Sequence, residues 1–229
     1  MAAGGGTLRG SFSSPAGKAP GVETLSEYLS QLASEWPTPG GGSAATMVAA
    51  AGASLVAMVG RICSTNPKYA AQRDLALELV AQADALRDEF LRSRERDEAA
   101  FDRVVAATAM PKTTDSEKHA RRAALELALA HAAAEPLAVA QNALDLLRFT
   151  QSALDLNNAN LISDIGCAGE FAHAALMACA YNVRINHKFM RDIAAIEAQR
   201  HALERYEREG AALLASVRRA VNAGLMPKA

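Results

Sequence analysis

Cysteine is scarce in this chain, with three among 229 residues, and Cys63, Cys167 and Cys179 are scattered through apolar, helix-like surroundings. They offer neither an even-numbered disulfide framework nor the paired spacing of a metal site. That excludes a cystine-stapled fold and suits a reducing cytoplasm. Aromatic residues make up only 5%, so a core has to be closed by helices that approach one another tightly rather than by large rings. No useful length of sequence alternates apolar and polar residues, and strands are not expected. No charge of one sign accumulates: 24 Lys and Arg face 25 Asp and Glu, a formal net charge of -1, which leaves no electrostatic footprint for nucleic acid or an acidic membrane. His119, His131, His173, His187 and His201 share no ligand spacing, so no metal is expected.

Half of the residues are hydrophobic, and alanine carries much of that share. The expected fold is all-α, a multihelical bundle with long antiparallel helices. Residues 1–21, a mixture of Gly, Ala, Ser and Pro without a continuous apolar core, read as a disordered tail. Residues 22–229 read as one helical domain. Thr24 and Glu27 have the spacing of a capping box, and Leu25, Tyr28, Leu29, Leu32 and Trp36 place a first helix over about 25–36. Pro37 and Pro39 end it. Gly40 to Gly42 form a loop, with Ser43 a plausible N-cap for a second helix whose Ala45, Ala49, Ala53 and Ala57 recur every fourth residue. The charge-free run from Gly40 to Gly60 is about long enough for a bilayer span. It has no aromatic or basic anchor on its N-terminal side, so a buried helix is the expected reading.

From Tyr69 to Met110 the chain has no glycine or proline, which predicts one long helix or two with an unmarked bend. Thr114 and Glu117 repeat the capping-box spacing, Pro136 kinks or divides the helix that follows, and further helices are expected over about 164–186 and 191–222, with Gly224 as a C-cap.

Several polar residues fall where chemistry is conceivable. Asp97 lies on the apolar stripe of the long helix, in the series Leu79, Ala83, Leu86, Phe90, Ser93, Asp97, Phe101, Val104, Thr108. Burial raises a carboxyl pKa and would let Asp97 exchange a proton near neutral pH; the competing reading is an Asp paired with an arginine such as Arg94, or left wet by helix rotation. The glycines before Ser43 present backbone N–H groups at a helix start, suited to an anion or a carbonyl oxygen, or simply to an interhelical turn. Ser163 and Asp164, after Asn158 and Asn160, open another helix and could cap it. Asn182 and Asn186, one turn apart, need partners from a helix, a subunit or a ligand. Lys112, in the "MPKTT" connection, is either solvated or placed to meet a substrate carboxylate.

Taken in order, "PTPGGGSAA", "DEAAF", "MPKTTDSEK", "NLISD" and "YNVRIN" resemble the cyclodeaminase/cyclohydrolase family of folate enzymes over about residues 24–220. The resemblance implies a multihelical subunit working as a homodimer or higher homo-oligomer, with no metal and no cofactor beyond the tetrahydrofolate derivative itself; cysteine usage and charge add the expectation of a cytoplasmic protein with no membrane or nucleic-acid partner. It implies one of two reactions: hydrolysis of methenyltetrahydrofolate to formyltetrahydrofolate, or ring closure of formiminotetrahydrofolate with loss of ammonia. The family's catalytic aspartate, four residues before a phenylalanine, falls on Asp97. By the same resemblance Gly41, Gly42, Ser43, Lys112, Asn160, Ser163, Asp164, Asn182 and Asn186 bind substrate. Family members often carry a second acid two residues before that phenylalanine, where this chain has Ala99. That departure motivates the alternative of an inactive folate-binding or assembly protein of the same fold.

Overall fold

The computed structural model describes residues 23–226, and no strand occurs among them. The expected tail over 1–21 lies outside the described residues. The chain divides into two compact units, one ending at Pro39 and one beginning at Gly40. In the first, α1 (Leu25–Leu32) opens on the expected capping box: the Glu27 N–H donates to Thr24 Oγ1 at 3.2 Å, and the Thr24 N–H donates to Glu27 Oε2 at 2.7 Å. The helix ends four residues sooner than predicted. Ser34 Oγ donates to the Gln31 carbonyl at 2.6 Å and accepts the Trp36 N–H, so a local serine contact competes with the next helical turn.

The second unit holds α2 (Gly41–Thr65), α3 (Arg73–Ala109), α4 (Asp115–Ala153), α5 (Ile162–His187) and α6 (Ile193–Leu225). Helix α2 is its centre and packs against α3, α4 and α5. Its buried alanines, with Ala49 and Ala53 fully enclosed, let neighbouring backbones close in. A methyl group added at Gly60 would lie 2.8 Å from the Ala76 carbonyl oxygen, and one at Gly52 would lie 3.3 Å from that of Ala168. Gly42 meets Asp97 while Gly60 meets Ala76, so α2 and α3 run antiparallel; Gly41 beside Asn182 and Gly52 beside Phe171 give the same sense for α2 and α5. Both α2 and α4 contain windows long and apolar enough to cross a bilayer, with mean hydropathy 1.6 and 1.3. For α2, 61% of that window is buried within the fold, so core packing accounts for its composition.

The long glycine-free segment is one helix, preceded by a 3-10 turn over Pro67–Gln72. Its buried residues follow a seven-residue repeat: Ala76, Ala83 and Phe90 in one register, Leu79, Ser93, Ala100 and Ala107 in the other. A 3.5-residue period holds one seam toward antiparallel neighbours. The predicted stripe drifts off this seam after Asp97, and Phe101 is 38% exposed. Helix α4 starts on the Thr114–Glu117 capping box and continues through Pro136 without a break. At the far end Gly224 is inside α6, against Ile162, rather than acting as a cap.

Candidate active site

Helix α2 begins without a capping side chain. Its N-cap is Gly40, so the acceptor that would normally take an N–H of the first turn is missing. Asp97, from the middle of α3, supplies it: the Ser43 N–H donates to the Asp97 carboxylate. Ser43 is therefore the third residue of the helix and not its cap, and Gly41 and Gly42 form its first turn rather than a loop. The Ser43 hydroxyl donates to Glu98 Oε1 at 2.9 Å. Gly42 is buried against the Asp97 carboxyl, where a methyl group would stand 2.7 Å from the carboxyl carbon. The glycine is needed for that approach.

Asp97 is partly buried, and its pKa is raised from 3.8 to about 6. Desolvation is the largest cause; the negative charges of Glu98 and Glu135 act in the same direction, and the Ser43 N–H opposes them. A carboxyl so placed gains and loses a proton close to neutral pH, as acid–base chemistry requires. Cys179 of α5 is close enough to feel the Asp97 charge, and burial first, then that charge, pushes its thiol up to about 12, which leaves it protonated and unreactive.

The other wall comes from α4 and α5. Pro136 has no N–H, so the Ala132 carbonyl one turn earlier has no helical donor. Asn186 Nδ2 donates to that carbonyl at 2.9 Å and to the Asn182 carbonyl at 2.8 Å. Asn186 thereby fastens α5 to α4 at the proline. Asn182 Nδ2 donates to the Ala178 carbonyl at 2.8 Å, and its amide stands beside Gly41. Glu135, next to Pro136, accepts from Arg96 Nε at 3.0 Å. Sequence reasoning missed Glu135; a glutamate immediately before a helix-interior proline was the available signal.

Gly41, Gly42, Ser43, Asp97, Asn182 and Asn186 thus converge within one chain. Asn160, Ser163 and Asp164 do not join them. They lie near the opposite end of α2, where Asn158 Nδ2 donates to Cys63 Sγ at 3.6 Å, roughly 30 Å along the helix from Gly42. Neither Ser163 nor Asp164 caps α5, whose N-cap is Leu161. Lys112 is exposed in the loop after α3, roughly 18 Å along that helix beyond Asp97. No group of three His, Cys, Asp or Glu residues suited to a metal ion occurs among the described residues.

The Formiminotransferase-cyclodeaminase family profile matches residues 24–205. The chain is 35% identical over 193 residues to a methenyltetrahydrofolate cyclohydrolase of Methylorubrum extorquens, across 84% of this chain and 93% of that protein. It is 28% identical over 180 residues to a formimidoyltransferase-cyclodeaminase of Rattus norvegicus, spanning 79% of this chain and 33% of that longer protein. Its fold is similar to that of a formiminotetrahydrofolate cyclodeaminase from Thermotoga maritima, with a TM-score of 0.80, 25% identity, and coverage of 89% of this chain and 98% of that one. Profile, relatives and fold agree, and the chain belongs to the formiminotransferase-cyclodeaminase family.

Proposed function

We propose that this protein is a folate one-carbon enzyme that opens the methenyl bridge of methenyltetrahydrofolate by hydrolysis, with Asp97 as its proton acceptor and donor. The observation that carries the reading is a carboxyl with a pKa of about 6 enclosed by Gly42 and the first turn of α2. In the reaction water adds to the carbon between two folate nitrogens. Asp97 as carboxylate takes one proton from that water and returns it to the nitrogen that leaves, while the second water proton passes to solvent as the formyl carbonyl forms, giving formyltetrahydrofolate. The relative that aligns over nearly its whole length is a cyclohydrolase, which favours this reaction. The structural neighbour favours a second one: a folate nitrogen attacks the formimino carbon, Asp97 moves that nitrogen's proton to the formimino nitrogen, and with one further proton from solvent the group leaves as ammonia while the cationic methenyl bridge closes. Methenyl absorbance separates the two. Loss of the band from methenyltetrahydrofolate supports hydrolysis, its growth from formiminotetrahydrofolate supports ring closure, and no change or binding with either overturns the reading. No cofactor beyond the folate is called for, and the free thiols suit a cytoplasmic setting.

The working form is a homodimer. Val48, Leu55 and Ile62 on α2 and Phe171, Tyr181 and Ile185 on α5 form neighbouring seams that the chain leaves partly or fully open; Tyr181 is 68% and Ile185 50% exposed. Two such apolar seams side by side suit a second copy. Laid antiparallel, that copy brings its own Asn160, Ser163 and Asp164 toward the Asp97 end, giving those residues a route to substrate. Light scattering is expected to give twice the chain mass. The double variant Tyr181→Glu, Ile185→Glu is expected to be monomeric and at least about tenfold slower, since charges at the seam cannot be buried unpaired. A fully active monomeric wild type would refute the dimer.

A further inference from the structure

The first turn of α2 is poorly made for the place it occupies. Its N-cap and first two residues are all glycine, among the weakest helix formers, and the first N–H with a helical acceptor is that of Ala44, which donates to the Gly40 carbonyl at 2.9 Å. Asp97 accepts the Ser43 N–H just before it. In the chemistry proposed above, however, Asp97 loses and regains its charge at each turnover. A carboxyl that does so is not a constant anchor for the turn beside it.

The acid next to Asp97 is placed to be that anchor. Ser43 is fully buried, and its hydroxyl donates to Glu98 Oε1 at 2.9 Å. The same glutamate oxygen lies 4.0 Å from Arg94 Nε, one turn earlier on α3. Thr46 Oγ1 donates to the Ser43 carbonyl at 2.7 Å. Every polar group of Ser43 is therefore engaged, and two successive carboxylates of α3 divide it between them: Asp97 takes the N–H and Glu98 the hydroxyl. Ala99, where family members often carry the second acid, is exposed.

We infer that Glu98 is a positioning residue for Asp97: through the Ser43 hydroxyl it pins the glycine-rich first turn of α2 to α3, and keeps Gly42 and the Ser43 N–H against the reacting carboxyl while that carboxyl changes charge. Glu98 carries no proton in this role. An acceptor oxygen at its place is sufficient, which separates it from a second acid–base group.

The role rests on the proton chemistry proposed for Asp97, and its first test needs no turnover. Amide hydrogen exchange, followed residue by residue by NMR, reads whether the first turn of α2 opens. Glu98→Ala should lower the protection of the amides at residues 43 and 44 by about tenfold, as for a lost hydrogen bond to a charged group, and leave the middle of α2 unchanged. Glu98→Gln keeps an oxygen for the hydroxyl and should stay within about threefold of wild type. At pH 7.5 kcat should follow, down about tenfold in Glu98→Ala with KM within about twofold, and largely restored in Glu98→Gln. Asp97 is a carboxylate at that pH in wild type and both variants, so the charge lost at residue 98 does not imitate the effect. Glu135 from α4 and the Cys179 thiol from α5, the other groups that face Asp97, are the same in all three proteins.

Wild-type protection in Glu98→Ala overturns the inference. So does a Glu98→Gln protein that opens as far as Glu98→Ala, since charge rather than the bond is then at work, and so does protection that falls while kcat stays at the wild-type value. If Glu98→Ala fails to fold, Ser43→Ala breaks the same bond from α2 and carries the same expectations, with wild-type protection again decisive against the anchor. The expected loss of protection in a protein that turns over no folate upholds the anchor and defeats only the folate reading.

Discussion

Asp97→Asn is expected to lose about 10²–10⁴-fold in kcat with little change in folate affinity, the range for removing a positioned acid–base group. It is also expected to be more stable than wild type at neutral pH. The two effects share one cause. Burial and the neighbouring glutamates hold the folded-state pKa at about 6 against an ordinary 3.8, so between these values the folded protein binds a proton that the unfolded chain has released. Stability conferred by that proton is complete below about pH 4 and is lost as pH rises through about 6. Above that, the wild type carries a partly desolvated charge costing about 1–2 kcal/mol once solvent screening at a partly exposed group is allowed for. Asparagine removes that charge and can still accept the Ser43 N–H. Thermal unfolding at pH 7.5 should therefore rise by a few degrees for Asp97→Asn, and the two proteins should converge near pH 4. A variant that is inactive and less stable at every pH would make Asp97 a structural residue.

The same pKa fixes the shape of the rate profile. A hydrolysis that begins with the Asp97 carboxylate loses about tenfold in kcat/KM for each pH unit below about 6. Glu98 adds to the raised value but is tied to Ser43. The raised value belongs to Asp97 itself, so the absence of an acid at Ala99 does not remove the proton-exchanging group from the site.

Helix content, the two capping boxes at Thr24 and Thr114, and the anomaly of a charge at Asp97 were legible because each is local. A cap is settled within four residues, and a charge on an apolar seam violates a periodicity that one segment displays by itself. Ser43 misled for the opposite reason. Serine after glycines is a good N-cap by local rules, but the acceptor for the first turn of α2 comes from a side chain on α3, and no pattern around residue 43 encodes it. The stripe past Asp97 failed through a small error in period: spacing by fours placed Phe101 inward, whereas the 3.5-residue repeat buries Ala100 and Ala107. Asn186 called for a partner from a helix, a subunit or a ligand, without saying which. Its partner is a backbone carbonyl freed by Pro136, visible only once α4 and α5 are side by side. Glu135 needed the α3–α4 packing in the same way.

Gly42→Ala tests how closely the backbone of α2 has to approach that carboxyl. Gly42 is the second residue of α2, in its first turn, where alanine is still the better helix former by up to about 1 kcal/mol. Local propensity thus predicts a gain, and any loss has to come from the contact. The added methyl group would lie 2.5 Å from Asp97 Oδ1 and 2.7 Å from its carboxyl carbon, well inside van der Waals separation, and an aspartate has too few bonds to swing away while keeping its place. The carboxyl must leave the Ser43 N–H, the one contact that favours its charged form. Its titration midpoint should therefore rise above about 6, and kcat should fall by about 100-fold or more, as for a catalytic group displaced by about 1 Å. Stability should change by less than about 1–2 kcal/mol, because the propensity gain offsets much of the lost hydrogen bond. At Gly41 the same methyl group meets Asn182 at 3.6 Å, an ordinary contact, so Gly41→Ala should leave the Asp97 midpoint near pH 6. If Gly42→Ala keeps both the wild-type rate and the wild-type midpoint, the close approach of α2 is not what holds Asp97 ready for chemistry.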